Sequence, residues 1–132
     1  VEIMARMSSG EPDRNYGLIF GHISEAGSSN QSFYVFSANH QREYSLERVA
    51  GQSIRELMTN QIQVDVAERN FESIHLKVKC GGNLILLYVN GVMVGMHRAQ
   101  SPVTGGVGFY CDAKLGVVFS DFKITPARIR QK

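Results

Sequence analysis

Paired carboxylates are the first chemistry to look for, because hydrolysis of a glycosidic bond needs two carboxyl groups that flank the bond. Glu43 and Glu47 are four positions apart and share one face of a predicted strand. The other face of that strand carries Tyr44 and Leu46. Any half-buried strand has polar residues on its solvated face and apolar residues on its buried face, so this pattern does not require a function. We therefore interpret the two glutamates as a solvated polar face and predict no catalytic residue.

Motifs for a nucleophile or for a phosphate group are absent from the chain. There is no G-x-S-x-G turn, and no set of Ser, His and Asp can be matched from the sequence. The glycine-rich segment 105–108 has no lysine directly after it and opens a predicted strand rather than a helix, so it does not fit a phosphate-binding loop. An enzyme is therefore the weaker functional hypothesis.

The two cysteines, Cys80 and Cys111, lack the C-x-x-C spacing of a zinc site. Each lies an even number of positions from the apolar residues of its predicted strand, so both side chains should point inward. We interpret them as buried free thiols, with a disulfide as the alternative. No metal or other cofactor is predicted. Calcium alone stays open, because four aspartates lie near predicted strand ends: Asp13, Asp65, Asp112 and Asp121.

The composition excludes several classes of partner. The 132 residues are enough for one domain, and 14 Lys and Arg against 12 Asp and Glu give a net charge of +2. That balance does not favour a nucleic acid or an anionic membrane as a partner. No apolar run approaches the roughly 20 residues of a membrane-spanning helix. Neither nucleic acid nor a membrane is therefore expected as a partner.

Apolar residues recur at every second position in short bursts, which predicts β-strands separated by turns. The clearest burst is 73–80, and Asn90-Gly91 predicts a tight hairpin because both residues accept positive φ. The apolar spacing of the segment 46–58 could also fit an amphipathic helix, but Gly51 would cost such a helix about 1 kcal/mol relative to Ala. We predict a strand and a turn there, followed by a second strand or one helical turn. About ten short strands without a long helix predict an all-β, two-sheet antiparallel β-sandwich. The other predicted strands are 1–7, 16–23, 33–37, 44–49, 61–66, 84–89, 92–96, 107–111 and 117–124.

The segment 71–96 contains I-H-L-K-V-K-C-G-G-N-L-I-L-L-Y-V-N-G-V-M-V. This run resembles the L-x-V-x-x-x-G-x-x-I-x-L-Y-V-N-G-x-x-V hairpin of concanavalin A-like lectin and glucanase domains. It is most similar to the laminin-G-like and 3-keto-disaccharide hydrolase-type jelly rolls. Segments 16–20, 33–46 and 106–122 resemble other strands of that group in the same order. The resemblance covers most of the chain and implies a jelly roll.

The resemblance implies sugar binding. Because the catalytic motifs are absent, we predict a non-catalytic recognition module, with a glycan as the first choice of ligand and a protein surface as the second. A flat aromatic ring stacks on the C–H face of a sugar, and planar polar groups bond to its hydroxyls. Because the chain has no Trp, tyrosines must supply the ring. Instead of binding a ligand, each tyrosine could pack at a sheet edge, and Arg48 could form an ion pair with a neighbouring glutamate. The predicted ligand-binding residues are Tyr34, Tyr44, Arg48, Tyr110, Asp112 and His22.

Two other functions stay open. Relatives that hydrolyse sugar derivatives make an enzyme the first alternative, although the E-x-D-x-E and E-x-D-x-x-E spacings of glycosidases with this fold are absent. The second alternative is a structural subunit that shares strands with other chains in an assembly. The resemblance favours an extracellular or periplasmic location.

Members of that group usually have one or two more strands before the position of residue 1, so the resemblance implies that this chain lacks part of a sheet. Residues 1–7 should therefore form an open sheet edge with unpaired N–H and C=O groups. We expect a partner chain, or a second copy in a homo-oligomer, to cover this edge. Residues 1–125 are predicted to form one jelly-roll domain, and the basic segment 126–132 a tail or linker.

Overall fold

A computed structural model describes residues 1–10, 14–24, 31–62, 73–112 and 115–125. These residues form strands and turns, and none of them is helical. The described part of the chain therefore offers no helix of the length and apolarity that a membrane crossing needs.

Ten strands occur in the described residues, as the period of two predicts. They are β1 (Glu2–Ser9), β2 (Tyr16–Ser24), β3 (Gln31–Ala38), β4 (Glu43–Ala50), β5 (Ser53–Gln61), β6 (Ser73–Gly81), β7 (Leu84–Val89), β8 (Val92–Arg98), β9 (Gly106–Cys111) and β10 (Gly116–Lys123).

The ambiguous segment 46–58 belongs to two strands around a turn. β4 and β5 pair as a hairpin whose turn contains Gly51, with a φ of 62° that glycine accepts without strain. The strand predicted at 61–66 is only partly visible, because Gln61 ends β5 and residues 63–66 lie outside the described residues. The predicted Asn90-Gly91 hairpin is confirmed, with φ values of 50° and 85°.

The strands form two antiparallel sheets of five strands each. Sheet A has the order β10-β1-β6-β7-β8, and sheet B has the order β5-β4-β3-β2-β9. The core lies between the sheets, where sheet A contributes Leu76 and Ile85 and sheet B contributes Leu18 and Phe36, all fully buried. Burial of a side chain of this size contributes about 1.5–3 kcal/mol. The predicted all-β sandwich is confirmed.

The first strand lies inside sheet A rather than at its edge. Ala5 of β1 pairs with Phe119 of β10 on one side and with Ile74 of β6 on the other. The prediction of an open edge at residues 1–7 is therefore wrong, because the last described strand returns to pair with the first. The edges of the described sheets are β8, β10, β5 and β9.

Aromatic contacts close one side of the sandwich, where the edge strands of the two sheets meet. Phe109 of β9 stacks on Phe119 of β10 with ring centroids 4.8 Å apart. Phe122 meets the same ring edge-on at 5.1 Å. Such pairs add about 0.5–1.5 kcal/mol beyond the area that they bury. They tie β9 of sheet B to β10 of sheet A.

The cysteines lie in different sheets and both are free thiols. Cys80 of β6 is half-buried, whereas Cys111 at the end of β9 is exposed. The prediction that Cys111 is buried is wrong. The period of two was correct, since Cys111 pairs with the buried Tyr16. However, β9 is an edge strand, so the side chain at its end is not covered.

The basic residues of β6 have partners on neighbouring strands of sheet A. Nε2 of His75 lies 3.0 Å from a carboxylate oxygen of Glu2, and Nζ of Lys77 lies 3.6 Å from the other oxygen. Lys79 lies over the ring of Tyr88, 5.2 Å from its centroid. Cross-strand contacts therefore account for this basic stripe.

Replacement of Gly17 by Ala should destabilise the fold. A Cβ atom at this position would lie 2.1 Å from the carbonyl oxygen of Phe36 on the paired strand, so the backbone would have to move. We expect a loss of about 1–3 kcal/mol, measured by urea unfolding. The control is Gly108→Ala in β9, where the nearest atom to the new Cβ is Ile19 Cβ at 3.9 Å. Equal losses in the two variants would contradict the proposed clash.

Candidate functional site

The outer face of sheet B has a floor of very small residues. Leu18, Phe36 and Leu46 point into the core, so their neighbours in each strand point the other way. Across the sheet these neighbours are Gly17, Ser37 and Ser45, which stand in one row because Gly17 pairs with Ser37 and Ser37 with Ser45. The two serines are only 0% and 8% exposed. Larger residues around the row must therefore enclose it.

A cleft of about 260 Å³ opens over this floor. We call it the sheet B cleft. Tyr110 of β9 lies at one side of the cleft, because it pairs with Gly17. Asp112 lies two positions after Tyr110 in the chain. Asp112 is joined to the lining because one of its carboxylate oxygens accepts a hydrogen bond from the backbone N–H of Asn15 at 3.2 Å. The lining residues are Asn15, Asn39, Glu43, Tyr44, Ser45, Glu47, Glu56 and Thr59.

Hydrogen bonds hold the floor of the cleft in place. Nδ2 of Asn15 donates to Oγ of Ser37 at 3.1 Å, and Ser37 shares a hydrogen bond with Ser45 at 3.0 Å. Nδ2 of Asn39 donates to Oδ1 of Asn15 at 3.1 Å and to Glu43 at 3.3 Å. The network therefore connects the segment before β2 with β3 and β4. Such a floor is organised before any ligand binds.

The turn between β3 and β4 has a local cause in the sequence. Oδ1 of Asn39 accepts hydrogen bonds from the backbone N–H groups of Gln41 at 2.9 Å and of Glu43 at 3.2 Å. Asparagine commonly bonds to the backbone two residues ahead and so replaces a backbone turn. This side chain positions the start of β4, and with it Glu43, at the end of the cleft.

Carboxylates from three segments act on one another across the cleft. Burial raises the pKa of Glu47, and the negative charges of Glu56 and Asp112 raise it further. Burial also raises the pKa of Tyr110, as does the hydrogen bond from its hydroxyl to Asp112. The cleft is therefore an acidic, partly desolvated site. Within the described ranges, however, no group of three His, Cys, Asp or Glu is arranged to hold a metal ion.

The structure brings together two of the six predicted ligand-binding residues. Tyr110 and Asp112 are joined by a hydrogen bond and lie next to the sheet B cleft through the pairing of Tyr110 with Gly17, although neither is among the lining residues. Tyr44 is among the lining residues of the cleft, but its side chain packs in the core, 3% exposed, and its hydroxyl donates to the carbonyl oxygen of Val94 at 2.6 Å. In this position its ring faces the opposite sheet and is not available to a ligand.

The other three predicted residues lie away from the cleft. Tyr34 stacks on the buried Phe20 with centroids 5.3 Å apart, and the guanidinium carbon of Arg48 lies 5.8 Å from the centre of its ring. His22 lies 3.1 Å from the side-chain oxygen of Gln31. These residues occupy the far end of β2, β3 and β4, so they do not form one site with Tyr110.

Glu47 is the residue that the sequence led us to set aside. It does lie on the outer face of β4, as predicted, but there it is half-buried beside Glu56 and not fully solvated. One sequence signal could have indicated this. Gly17, Ser37 and Ser45 occupy the outward positions of three strands, and small outward residues on neighbouring strands leave a hollow in the sheet surface.

A second cleft, of about 670 Å³, lies at one end of the sandwich. Its lining includes the apolar residues Phe20, Val78 and Val107, with Lys77 and Lys79 beside them. None of the six predicted ligand-binding residues lines it. Its walls are mainly apolar and those of the sheet B cleft are mainly polar, so the sheet B cleft is the better candidate for a ligand rich in hydroxyl groups.

Replacement of Glu47 by Gln should raise the free energy of unfolding at neutral pH. The pKa of Glu47 is raised above 4.5 in the folded protein, so the folded state holds this proton more tightly than the unfolded state does. Ionisation therefore costs stability as the pH rises through the folded-state pKa. The gain should disappear near about pH 3, where the group is protonated in both states. Urea unfolding at the two pH values measures it.

The control is Glu2→Gln, which should have the opposite effect. Burial alone would raise the pKa of Glu2, but the hydrogen bond with His75 and the charge of Lys77 outweigh it and lower the pKa. The ionised form of Glu2 therefore stabilises the folded state, and this contribution is lost as the pH falls through the lowered pKa. A loss of stability in both variants at neutral pH would contradict the assignment for Glu47.

Comparison with known proteins identifies the fold. No protein-family model matches the chain, and no curated protein matches it. Among solved structures, the chain is similar to the carbohydrate-binding module CBM66 from Bacillus subtilis. The TM-score is 0.66 at 15% sequence identity, and the match covers 91% of this chain and 70% of that one. A likeness at this level of identity establishes a common β-sandwich jelly-roll fold.

Proposed function

We propose that this chain is a non-catalytic carbohydrate-binding module and that its sugar site is the sheet B cleft. The observation that carries the proposal is the cleft itself: an open hollow on a rigid sheet, lined by hydroxyl, amide and carboxylate groups and bordered by Tyr110. The fold supports it, since the similar structure from Bacillus subtilis is a carbohydrate-binding module.

The chemistry of the cleft suits a sugar. Carboxylates and amides are planar groups that can accept or donate two hydrogen bonds side by side, as adjacent hydroxyls of a sugar require. Asp112 holds the hydroxyl of Tyr110 and restrains its ring beside the floor. Because the floor is already organised by the bonds of Asn15 and Ser37, little ordering has to accompany binding.

We further propose that the chain is related to the concanavalin A-like group, as a single domain of residues 1–125 with a basic tail at 126–132. The Val-Asn-Gly hairpin that suggested the kinship joins β7 to β8 in the described structure. The tail itself lies outside the described residues. This relationship goes beyond the fold and rests on the sequence motifs.

For Tyr34, Arg48 and His22, a role in ligand binding stays a prediction. Arg48 over the ring of Tyr34 presents a cation and an aromatic ring together. His22 lies beside Phe33, with ring centroids 5.9 Å apart. The His22–Phe33 pair lies toward the end of sheet B opposite Tyr110, so a long glycan would have to extend along the strands to reach it. The Arg48–Tyr34 pair lies on the other face of sheet B, with Tyr34 against the buried Phe20, so a glycan in the cleft would not reach it. For Tyr44 we propose a structural role, since its ring is in the core.

One observation favours an enzyme as the second candidate. Glu47 has a raised pKa beside Glu56, and a glycosidase needs one carboxyl group that stays protonated next to one that is ionised. Against it stands the absence of the glycosidase spacings from the sequence. A carbohydrate-binding role needs no such pair, so binding without hydrolysis remains our proposal.

Tyr110→Ala should weaken glycan binding about tenfold, because a stacked aromatic ring is worth roughly 1 kcal/mol or more beyond its buried area. A glycan array identifies the ligand, and titration calorimetry then measures its affinity. The matched control is Tyr88→Ala, which removes a tyrosine from the outer face of sheet A beneath Lys79. Equal affinity in wild type and Tyr110→Ala would place the site elsewhere on the molecule.

The bound glycan should be recovered intact after long incubation with the protein. Size analysis of the oligosaccharide before and after incubation measures this directly. Release of shorter products, abolished by Glu47→Gln, would instead support the hydrolase. In that case Glu47 would be the acid and Glu56 its partner.

A further inference from the structure

Hydroxyl donors at the sheet B cleft are already used within the protein. The hydroxyl of Thr59 donates to Glu56, and the hydroxyl of Tyr110 donates to Asp112. Each hydroxyl has a single hydrogen to donate. Neither group is therefore free to donate a hydrogen bond to a ligand while these contacts hold.

The amides and serines of the floor are almost as fully committed. Nδ2 of Asn39 donates to Asn15 and to Glu43, which uses both of its N–H groups. Asn15 gives one N–H to Ser37, and Ser37 and Ser45 share one hydrogen between them. Among the described side chains of the floor, one N–H of Asn15 and one hydroxyl hydrogen of the serine pair remain for a ligand.

Acceptors, in contrast, remain in excess. An ionised carboxylate offers about four acceptor sites, and the cleft is lined by Glu43, Glu47 and Glu56. The pKa of Glu47 is raised by burial first and then by the charges of Glu56 and Asp112. Neither a hydrogen-bond donor nor a cation is among the described groups that act on it. The ligand must therefore supply donors.

The acidic charge is not neutralised from within the cleft. The described residues that line it include no Lys or Arg. Arg48 directly follows Glu47 in β4, and Arg55 directly precedes Glu56 in β5. Adjacent residues of a strand point to opposite faces, so both arginines, which pair with each other, point away from the cleft. A negatively charged ligand would meet three carboxylates and no cation among the described lining residues.

We propose that the sheet B cleft selects glycans that carry a free amino group, and that it rejects glycans with carboxylate or sulfate groups. This inference rests on the proposed sugar-binding function. A sugar ammonium supplies three donors and one positive charge, which match the unused acceptors of Glu47 and its neighbours. Acetylation of the amine removes the charge and leaves one donor, so an N-acetylated sugar matches the cleft less well.

The test is binding of the full chain to matched glycans at about pH 6, where an amine is protonated. An array with neutral, amine-bearing, N-acetylated and uronic acid oligosaccharides ranks the classes. Calorimetry then compares glucosamine oligomers with N-acetylglucosamine oligomers of the same length. We expect the amine-bearing glycans to bind at least about tenfold more tightly, and this advantage to shrink with added salt.

Glu47→Gln should remove most of the preference for the amine while retaining residual binding of neutral glycans. The control variant is Asp121→Asn, which removes the same charge from an exposed position on β10 in sheet A. It should leave the preference unchanged. An equal reduction by Asp121→Asn would show a general charge effect and overturn the assignment to the cleft.

The outcomes separate this inference from the proposed function. Neutral or N-acetylated glycans that bind as tightly as amine-bearing ones would refute the inference and leave the sugar-binding function intact. Preferential binding of uronic acid oligomers would also refute it. If no class of glycan binds, both proposals fail.

Discussion

Packing of alternate side chains between the two sheets is the interaction on which the rest of the structure depends. It decides, for every strand, which residues face the core and which face away from it. In sheet B the inward positions hold large apolar residues such as Leu18 and Phe36. The outward positions next to them hold Gly17 and Ser37, so the hollow is a direct consequence of the core. A shift of one residue in the register of β2 or β3 would turn the small floor residues toward the core and the large core residues outward.

The sheet B cleft combines a rigid floor with an electrostatic cost. Hydrogen bonds among Asn15, Ser37 and Ser45 satisfy the floor internally. Glu47, by contrast, is held partly desolvated near the charges of Glu56 and Asp112, which opposes its ionisation. Perturbed pKa values cluster at functional sites, where a ligand that supplies the missing partner can relieve such a cost. On the other sheet, the carboxylate of Glu2 lies beside two basic side chains and shows the opposite shift of its pKa.

Pairing between the first and last described strands and aromatic packing between the two sheets stabilise one side of the sandwich. β1 lies between β10 and β6, so the first strand is fully paired. Phe109 packs against Phe119 and Phe122 and joins the sheets on the side where β9 and β10 meet. Neither feature depends on another chain. The expectation that a partner chain or a second copy covers residues 1–7 therefore loses its basis, because this strand is not an edge.

Local chemistry was sufficient for the strands and the fold class. The alternation in β6 and the Asn90-Gly91 turn are properties of a few adjacent residues, and the structure agrees with both. The choice of Tyr110 and Asp112 as binding residues also came from the sequence, through residue type and the resemblance. The resemblance could not distinguish them from Tyr44, because a tyrosine has the same appearance in a sequence whether its ring is buried or exposed.

Tertiary structure decided the strand order, the hollow over sheet B and the surroundings of Glu47. Periodicity shows that a strand has one buried face, but it does not show which strands stand beside it. The environment of Glu47 depends on Glu56 in β5 and on Asp112, which lies more than sixty positions away in the chain. β10 likewise pairs with β1 across almost the whole sequence. Contacts between distant segments form only when the complete core assembles, so the identity of each residue's neighbours is a property of the folded chain alone.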